Sequence, residues 1–187
     1  GYIIKGVSDS RGCLVASEGG FDPKRVTEIK KEKGSVTDAR GEAGFENAGI
    51  CHDSEFLTSE CDILVLAALE NQITAENADK FKAKYILELA NGPVTPEADV
   101  ILAEKGITVI PDILANAGGV TVSYFEWYQN VNDEKWTYAE VQEKLVKIMN
   151  DAYADVAGNA TQYSCDLRTA AFITAMKRLD GLYKEKK

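Results

Sequence analysis

The chain has 187 residues, of which 45% are hydrophobic and 27% are charged, as in globular domains with a substantial core. Its formal net charge is -9, which argues against binding to nucleic acid or to an anionic membrane surface. The longest apolar stretch, 63–69, is far shorter than the roughly 20 residues that a membrane span needs. We therefore predict neither a nucleic-acid partner nor a membrane span.

Cysteine and histidine give little support for a metal centre. The four cysteines are scattered without a C-x-x-C pair, which indicates reduced thiols of a cytoplasmic protein. His52 is the single histidine, so neither a metal site nor a Ser-His-Asp triad is expected. The chain lacks an initiator Met, and its first residues already resemble the approach to a strand, so we expect it to begin inside a fold.

Four short apolar runs predict the strands of a sheet. They are 2–7, 62–66, 85–89 and 107–110. The first run ends at a turn over 8–12, and a glycine-containing loop is predicted over 41–49.

Helical patterns separate these strands. Asp22-Pro23 and Thr95-Pro96 each place an N-cap before a proline at the first helical position. The helices predicted between strands are 23–33, 75–80 and 96–104, and those that follow are 119–131, 138–162 and 167–183. Short basic clusters at 30–31 and 184–187 are interpreted as solvated helix ends.

This alternation with short links predicts an α/β fold with a doubly wound, Rossmann-like parallel sheet. We expect residues 1–131 to form the sheet domain and residues 132–187 to form C-terminal helices that pack on it.

Small and polar side chains follow the carboxyl ends of the predicted strands, where open α/β sheets bind ligands. They are Asp9 with Ser10, then Ala67, Ala68 and Asn71, then Asn91, and finally Asn116. Each is a weak signal alone, since Asp9 in such a turn is more often a turn former. Together, at corresponding ends of successive strands, they predict a ligand site.

The segment 112–127 adds a helix start to this site. Two adjacent glycines, Gly118 and Gly119, allow the backbone to approach a ligand closely. The free N–H groups of a helix start suit a carboxylate or phosphate. Val120 and Ser123 lie three residues apart, so they share one helix face and can line one pocket.

The segments 67–72, 90–99 and 112–127 resemble consecutive signatures of the glutamate dehydrogenases, and 7–12 and 166–171 fit as well. The resemblance covers essentially the whole chain. It implies oxidation of L-glutamate to 2-oxoglutarate and ammonia with NAD or NADP, and assembly into a homo-oligomer, since the family forms hexamers.

The resemblance also implies a role for each site residue. Asp9, with Ser10 beside it, matches the acidic position at the adenosine ribose, where a carboxylate would repel a 2′-phosphate and favour NAD; Arg11 nearby offsets that preference. The other implied contacts are the pyrophosphate and nicotinamide ribose for Ala67, Ala68 and Asn71, the ribose or carboxamide for Asn91 and Asn116, and the substrate side chain for Val120 and Ser123.

Two expected parts are missing. The chain has no G-x-G-x-x-G motif, and the family's catalytic lysine and aspartate would lie upstream, so no residue here is assigned a catalytic role.

In the strand order 3-2-1-4-5-6 of a dinucleotide-binding sheet, the missing first strand is central. Its absence would separate 2–7 from 62–66 by roughly 10 Å and leave unpaired strand edges. We expect a further segment or a partner to complete the sheet, or a rearrangement that closes the gap.

Two other functions stay open. A dehydrogenase of leucine, valine or phenylalanine is less favoured, because the Ser123 hydroxyl would be unpaired in an apolar pocket at a cost of about 1–3 kcal/mol. The other alternative is a non-catalytic α/β module for assembly or regulation.

Overall fold

A computed structural model describes residues 1–185. Residues 186 and 187, the end of the predicted helical region and of its basic cluster, lie outside the described residues. The chain forms two compact units, one from residues 1–62 with 80–83 and one from 63–79 with the chain from 84 onward. The predicted domain boundary between 131 and 132 stays a prediction.

The first unit contains an antiparallel sheet of three strands in the order β1 (Gly6–Asp9), β2 (Gly12–Ala16) and β3 (Ala48–Cys51). The predicted strand 2–7 is therefore shifted towards the carboxyl end, and the predicted turn is reduced to Ser10 and Arg11. Both β2 and β3 were missed. Gly12 has a φ of 139°, which only glycine adopts readily, and this allows the chain to reverse at once into β2.

Helix α1 (Pro23–Lys33) covers one side of this sheet and confirms its predicted bounds. The Asp22 side chain accepts a hydrogen bond from the Lys24 N–H, and Gly34 ends the helix with a φ of 106°. A 3-10 helix (Val36–Ala39) and a short helix α2 (Asp53–Leu57) complete the unit. Its core is apolar and contains Leu14, Ala16, Phe21, Val26, Ile29, Val36, Ala39 and Phe45.

The second unit contains a parallel sheet made of three of the four predicted strands, with the order β4 (Ile63–Leu66), β5 (Tyr85–Glu88) and β6 (Thr108–Ile110). The remaining predicted strand, 2–7, corresponds to β1 of the antiparallel sheet. Helix α3 (Pro96–Glu104) connects β5 to β6 and is capped by Thr95, as predicted. The predicted helix 75–80 is only a 3-10 helix, Ala78–Lys80. The Asn77 side chain there bonds the Thr74 N–H and the Gln72 carbonyl, which competes with a regular helix.

Four helices follow the sheet: α4 (Asp112–Ala115), α5 (Ala117–Asn132), α6 (Tyr138–Tyr163) and α7 (Leu167–Glu185). The last three correspond to predicted helices, although α5 begins at Ala117 instead of Gly119. The short α4 was missed. Its Leu114 packs against Val156 of α6 and Ala170 of α7, so the helices share an apolar core next to β6.

Strands β1 and β4 are each an edge strand of their own sheet in the described residues. Strand β1 pairs with β2, and strand β4 pairs with β5. On the uncovered face of β4, Ile63 and Val65 are 38% and 47% exposed. The expectation that a further segment, a partner or a rearrangement completes the sheet stays a prediction. Within residues 1–185, no helix is long and apolar enough to cross a membrane.

Candidate functional site

The loops after β4 and β5 lie side by side at the carboxyl edge of the parallel sheet. The Asn71 N–H donates to the Gly92 carbonyl at 2.9 Å, and the Ile73 N–H donates to the Pro93 carbonyl at 2.9 Å. Asn71 adopts a left-handed φ of 54° and Gly92 a φ of 55°. These bonds bring the predicted residues after β4 next to the predicted Asn91 turn.

Asn91 and Asn116 form a direct side-chain pair. The Asn116 Nδ2 donates to the Asn91 Oδ1 at 2.7 Å, which connects the turn after β5 to the start of α5. Within residues 1–185, the Asn91 Nδ2 and the Asn116 Oδ1 have no hydrogen-bond partner. The pair therefore presents one amide donor and one amide acceptor, which is the complement of a carboxamide.

Asn116, Val120 and Ser123 are spaced four and three residues apart, so they lie along one face of α5. Val120 is 69% exposed and Ser123 is exposed as well. Gly118 packs towards α6, since a Cβ there would lie 3.8 Å from Leu145 Cδ1, whereas Gly119 faces open space. Of the two glycines, only Gly119 leaves open space beside its backbone, and the close approach of a ligand there stays a prediction.

Ala67, Ala68 and Asn71 are all exposed in the loop that follows β4. Their small or amide side chains leave the carboxyl edge of the sheet accessible. The structure thus places Ala67, Ala68, Asn71, Asn91 and Asn116 along this edge.

An ion-pair cluster at the same edge was missed by the sequence analysis. The Arg168 guanidinium lies among Glu88 at the end of β5, Asp99 of α3 and Asp112 of α4. Burial disfavours its charge, but hydrogen bonds to Glu88 and Asp99 outweigh this effect and raise the pKa of Arg168 above its usual range. Glu88 is 0% exposed, and a glutamate in an otherwise apolar strand was the sequence signal for a buried cationic partner.

In the first unit, the Asp9 carboxylate lies at the end of β1 and is almost fully engaged. Its Oδ1 accepts from the Arg11 N–H and the Ser35 hydroxyl. Its Oδ2 accepts from the Val36 N–H at 2.9 Å and lies 3.1 Å from Lys30 Nζ. The side chain is 8% exposed, whereas Ser10 beside it is exposed. Asp9 thus joins the β1–β2 hairpin to the 3-10 helix.

These donors explain the acidity of Asp9. Burial alone would raise its pKa, but hydrogen bonds from the Val36 and Arg11 N–H groups, Lys30 and Ser35 lower the pKa to about 2. The carboxylate stays ionised at neutral pH and is offset locally by Lys30.

Three of the four cysteine thiols are affected by burial. Burial raises the pKa of the Cys13, Cys51 and Cys61 thiols, so these side chains stay protonated and weakly reactive at neutral pH. In the described part of the chain, no group of three His, Cys, Asp or Glu side chains could hold a metal ion.

A parallel sheet with small and amide side chains at its carboxyl edge, beside a helix that starts with glycines, is typical of dinucleotide-binding α/β proteins. The chain belongs to the Glutamate/Leucine/Phenylalanine/Valine dehydrogenase family, whose model matches residues 1–186. This result confirms the family that the sequence motifs indicated.

Individual relatives agree with this assignment. The chain is 48% identical to a glutamate dehydrogenase of Thermotoga maritima over 96% of its length and 41% of the relative. It is 44% identical to an NADP-specific glutamate dehydrogenase of Halobacterium salinarum over 98% of its length and 43% of the relative. A crystal structure of the hetero-hexameric glutamate dehydrogenase of Thermus thermophilus matches with a TM-score of 0.84 and 30% identity, covering 99% of this chain and 42% of that one. The chain therefore spans less than half the length of these relatives.

The engaged Asp9 carboxylate gives a pH-dependent prediction. Because the pKa of Asp9 is lower in the folded state than in the unfolded state, its stabilisation is complete above about pH 4 and is lost as the pH falls towards 2. We expect Asp9→Asn to lower the free energy of unfolding by about 2 kcal/mol at neutral pH, measured by urea unfolding. This difference should shrink between about pH 4 and pH 2.

The control is Asp151→Asn, whose exposed carboxylate pairs with Lys147 one turn away and should contribute less than about 0.5 kcal/mol. If the destabilisation by Asp9→Asn stayed constant across the acidic range, the ionised Asp9 carboxylate would not be the source of the stabilisation.

Proposed function

We propose that the whole protein catalyses the NAD(P)-dependent oxidative deamination of L-glutamate to 2-oxoglutarate and ammonia. The observation that supports this most is the alignment of Asn116, Val120 and Ser123 on one face of α5, next to the Asn91 turn. The nicotinamide end of the cofactor and a small substrate would then lie one after the other along α5. The named relatives, which are glutamate dehydrogenases, support the same reaction.

When bound, the nicotinamide supplies the hydride acceptor for the substrate α-carbon. The Asn91 Nδ2 and the Asn116 Oδ1 orient the carboxamide through complementary hydrogen bonds. Ala67 and Ala68 leave room for the pyrophosphate and ribose, and Asn71 bonds the ribose. This chain contributes positioning and no proton transfer, so the acid–base groups belong to the remainder of the protein.

On the substrate side, Ser123 donates a hydrogen bond to the γ-carboxylate of glutamate, and Val120 packs against its methylene groups. A site that hydrogen-bonds a substrate group rejects analogues that lack the group much more strongly than an apolar pocket rejects a size change.

The edge strands β1 and β4 are each extended, in this proposal, by a segment from the remainder of the protein. The relative from Thermus thermophilus is described as hetero-hexameric, and we propose that the whole protein is likewise an oligomer, formed by copies of one chain.

The proposed activity is tested with the purified full-length protein, ammonium, and either NADH or NADPH. We expect kcat/KM for 2-oxoglutarate to exceed that for 2-oxoisocaproate, 2-oxoisovalerate and phenylpyruvate by about 100-fold or more. A preference for one of these apolar acids would indicate the leucine, valine or phenylalanine activity instead. No oxidation of either nucleotide with any acid would favour a non-catalytic module.

Replacement of Ser123 tests the substrate contact separately. We expect Ser123→Ala to lower kcat/KM for 2-oxoglutarate by about 10- to 100-fold, since a hydrogen bond to a charged group contributes about 1.5–3 kcal/mol. The KM for the nucleotide should stay within about twofold. The matched control is Thr121→Ala, because the Thr121 hydroxyl donates to the Ala117 carbonyl within α5. Equal losses in the two variants would contradict a substrate role for Ser123.

The choice between NAD and NADP depends on Asp9 and its neighbours. A free carboxylate at this position would repel a 2′-phosphate, but Lys30 pairs with Asp9 and Arg11 follows Ser10 at the same hairpin. We therefore propose that the protein accepts both nucleotides, with Ser10 and Lys30 beside the adenosine 2′ position.

We expect Lys30→Gln to lower the NADPH-to-NADH ratio of kcat/KM by about tenfold, because it removes a charge-assisted contact to the 2′-phosphate. Lys31→Gln, at the exposed next position of α1, is the control and should leave the ratio within about twofold. An unchanged ratio in Lys30→Gln would show that the 2′-phosphate is recognised elsewhere.

A further inference from the structure

We propose that Arg168 is a positioning residue for the cofactor site. It holds the Asn91–Gly92 turn and the start of α5 in place through Asp112 and Glu88, without touching cofactor or substrate itself. This inference rests on the proposed function, because that function assigns the nicotinamide end of the cofactor to this turn and this helix start.

Asp112 is the first link between the guanidinium and the turn. Its Oδ1 accepts from Arg168 Nη1 at 3.3 Å, and its Oδ2 accepts from the Gly92 N–H at 2.8 Å. One carboxylate therefore joins α7 to the backbone of the turn. Gly92 has a left-handed φ of 55°, so the bond to Asp112 fixes a residue whose conformation is otherwise permissive.

Glu88 is the second link. Its Oε1 accepts from Arg168 Nη2 at 2.7 Å, and its Oε2 accepts from the Asp112 N–H at 2.7 Å. The latter bond fixes the first residue of α4, a helix that ends immediately before Asn116. Both members of the Asn91–Asn116 pair are thus placed by groups that Arg168 binds.

The planar guanidinium suits this task better than an ammonium group. It donates to side chains of three elements at once, including Asp99 of α3 through Nε and Nη2. An ammonium group is a compact charge without this fork geometry. Loss of the guanidinium would also leave three carboxylates without their shared cation, beside the site proposed for an anionic cofactor.

The test uses the full-length protein with NADH and NADPH, and measures nucleotide Kd by fluorescence titration well below the melting temperature. We expect Arg168→Lys to weaken binding of the preferred nucleotide by about tenfold, because the turn and Asn116 lose their fixed geometry. Asp112→Asn should weaken it to a similar extent. The double variant should bind the nucleotide about as tightly as the more impaired of the two single variants, because both substitutions break the same chain of contacts.

Arg178→Lys is the matched control. This arginine lies on the same helix, but it pairs with Asp155 at the surface, where both side chains are more than half exposed. Its nucleotide Kd should stay within about twofold of the wild-type value.

Two results would overturn the proposal. One is a nucleotide Kd within about twofold of wild type in folded Arg168→Lys or, if that variant does not fold, in Asp112→Asn. The other is a double variant whose loss equals the product of the two single losses. If the wild-type protein bound neither nucleotide, the proposed function itself would fail, whereas tight wild-type binding with unaffected variants would reject only the role of Arg168.

Discussion

The second unit depends on the placement of one buried carboxylate, that of Glu88 at the end of the central strand β5. A buried carboxylate is costly unless it is paired and hydrogen-bonded, and Glu88 is 0% exposed. The Arg168 guanidinium and the Asp112 N–H satisfy its two oxygens. Removal of one partner from such a buried pair costs about 3–5 kcal/mol, so the positions of β5, α4 and α7 are energetically coupled.

The first unit uses a related arrangement at Asp9. There, too, a carboxylate at a strand end accepts backbone N–H bonds and pairs with a long basic side chain, in this case Lys30. The two sites differ in accessibility. Arg168 is 23% exposed among three acids, whereas Lys30 is 46% exposed and faces a single engaged acid. The lysine is thus freer to exchange its partner for a solvent anion, while the arginine is held in place.

Local signals predicted the parts of the fold that are determined locally. Asp22-Pro23, Thr95-Pro96 and Gly34 set the bounds of α1 and α3 correctly because caps and φ restrictions act within a few residues. The runs around β4, β5 and β6 were apolar enough to identify the parallel sheet, in spite of Glu88 in β5. The hairpin partner β2 was missed because its short run, 12–16, follows a turn signal without a clear alternation, and its pairing with β3 depends on residues more than thirty positions away.

In the candidate site, too, the sequence predicted the locally determined features and missed those that depend on distant residues. Asn91 and Asn116 were identified because each follows a predicted strand, yet their mutual hydrogen bond depends on the three-dimensional course of the chain. The roles of Asp112 and Arg168 were not predicted, because the contacts of Arg168 with Glu88, Asp99 and Asp112 are separated by 80, 69 and 56 positions. A charge in an apolar strand indicates that a partner exists, but the strand alone does not identify the partner.

The exposure of α5 determines where specificity can arise. A hydroxyl in water exchanges one hydrogen-bond partner for another at little net gain, whereas the same hydroxyl in a closed pocket carries the full cost of being unpaired. Val120 is 69% exposed and Ser123 is exposed, so this face cannot discriminate a carboxylate from a methyl group while it remains open. Discrimination requires that another surface exclude water from the helix. Under the proposed function, selectivity for a 2-oxo acid would therefore be a property of the assembled site: Ser123 would set the position of the donor, and the surface that covers α5 would set the strength of its hydrogen bond.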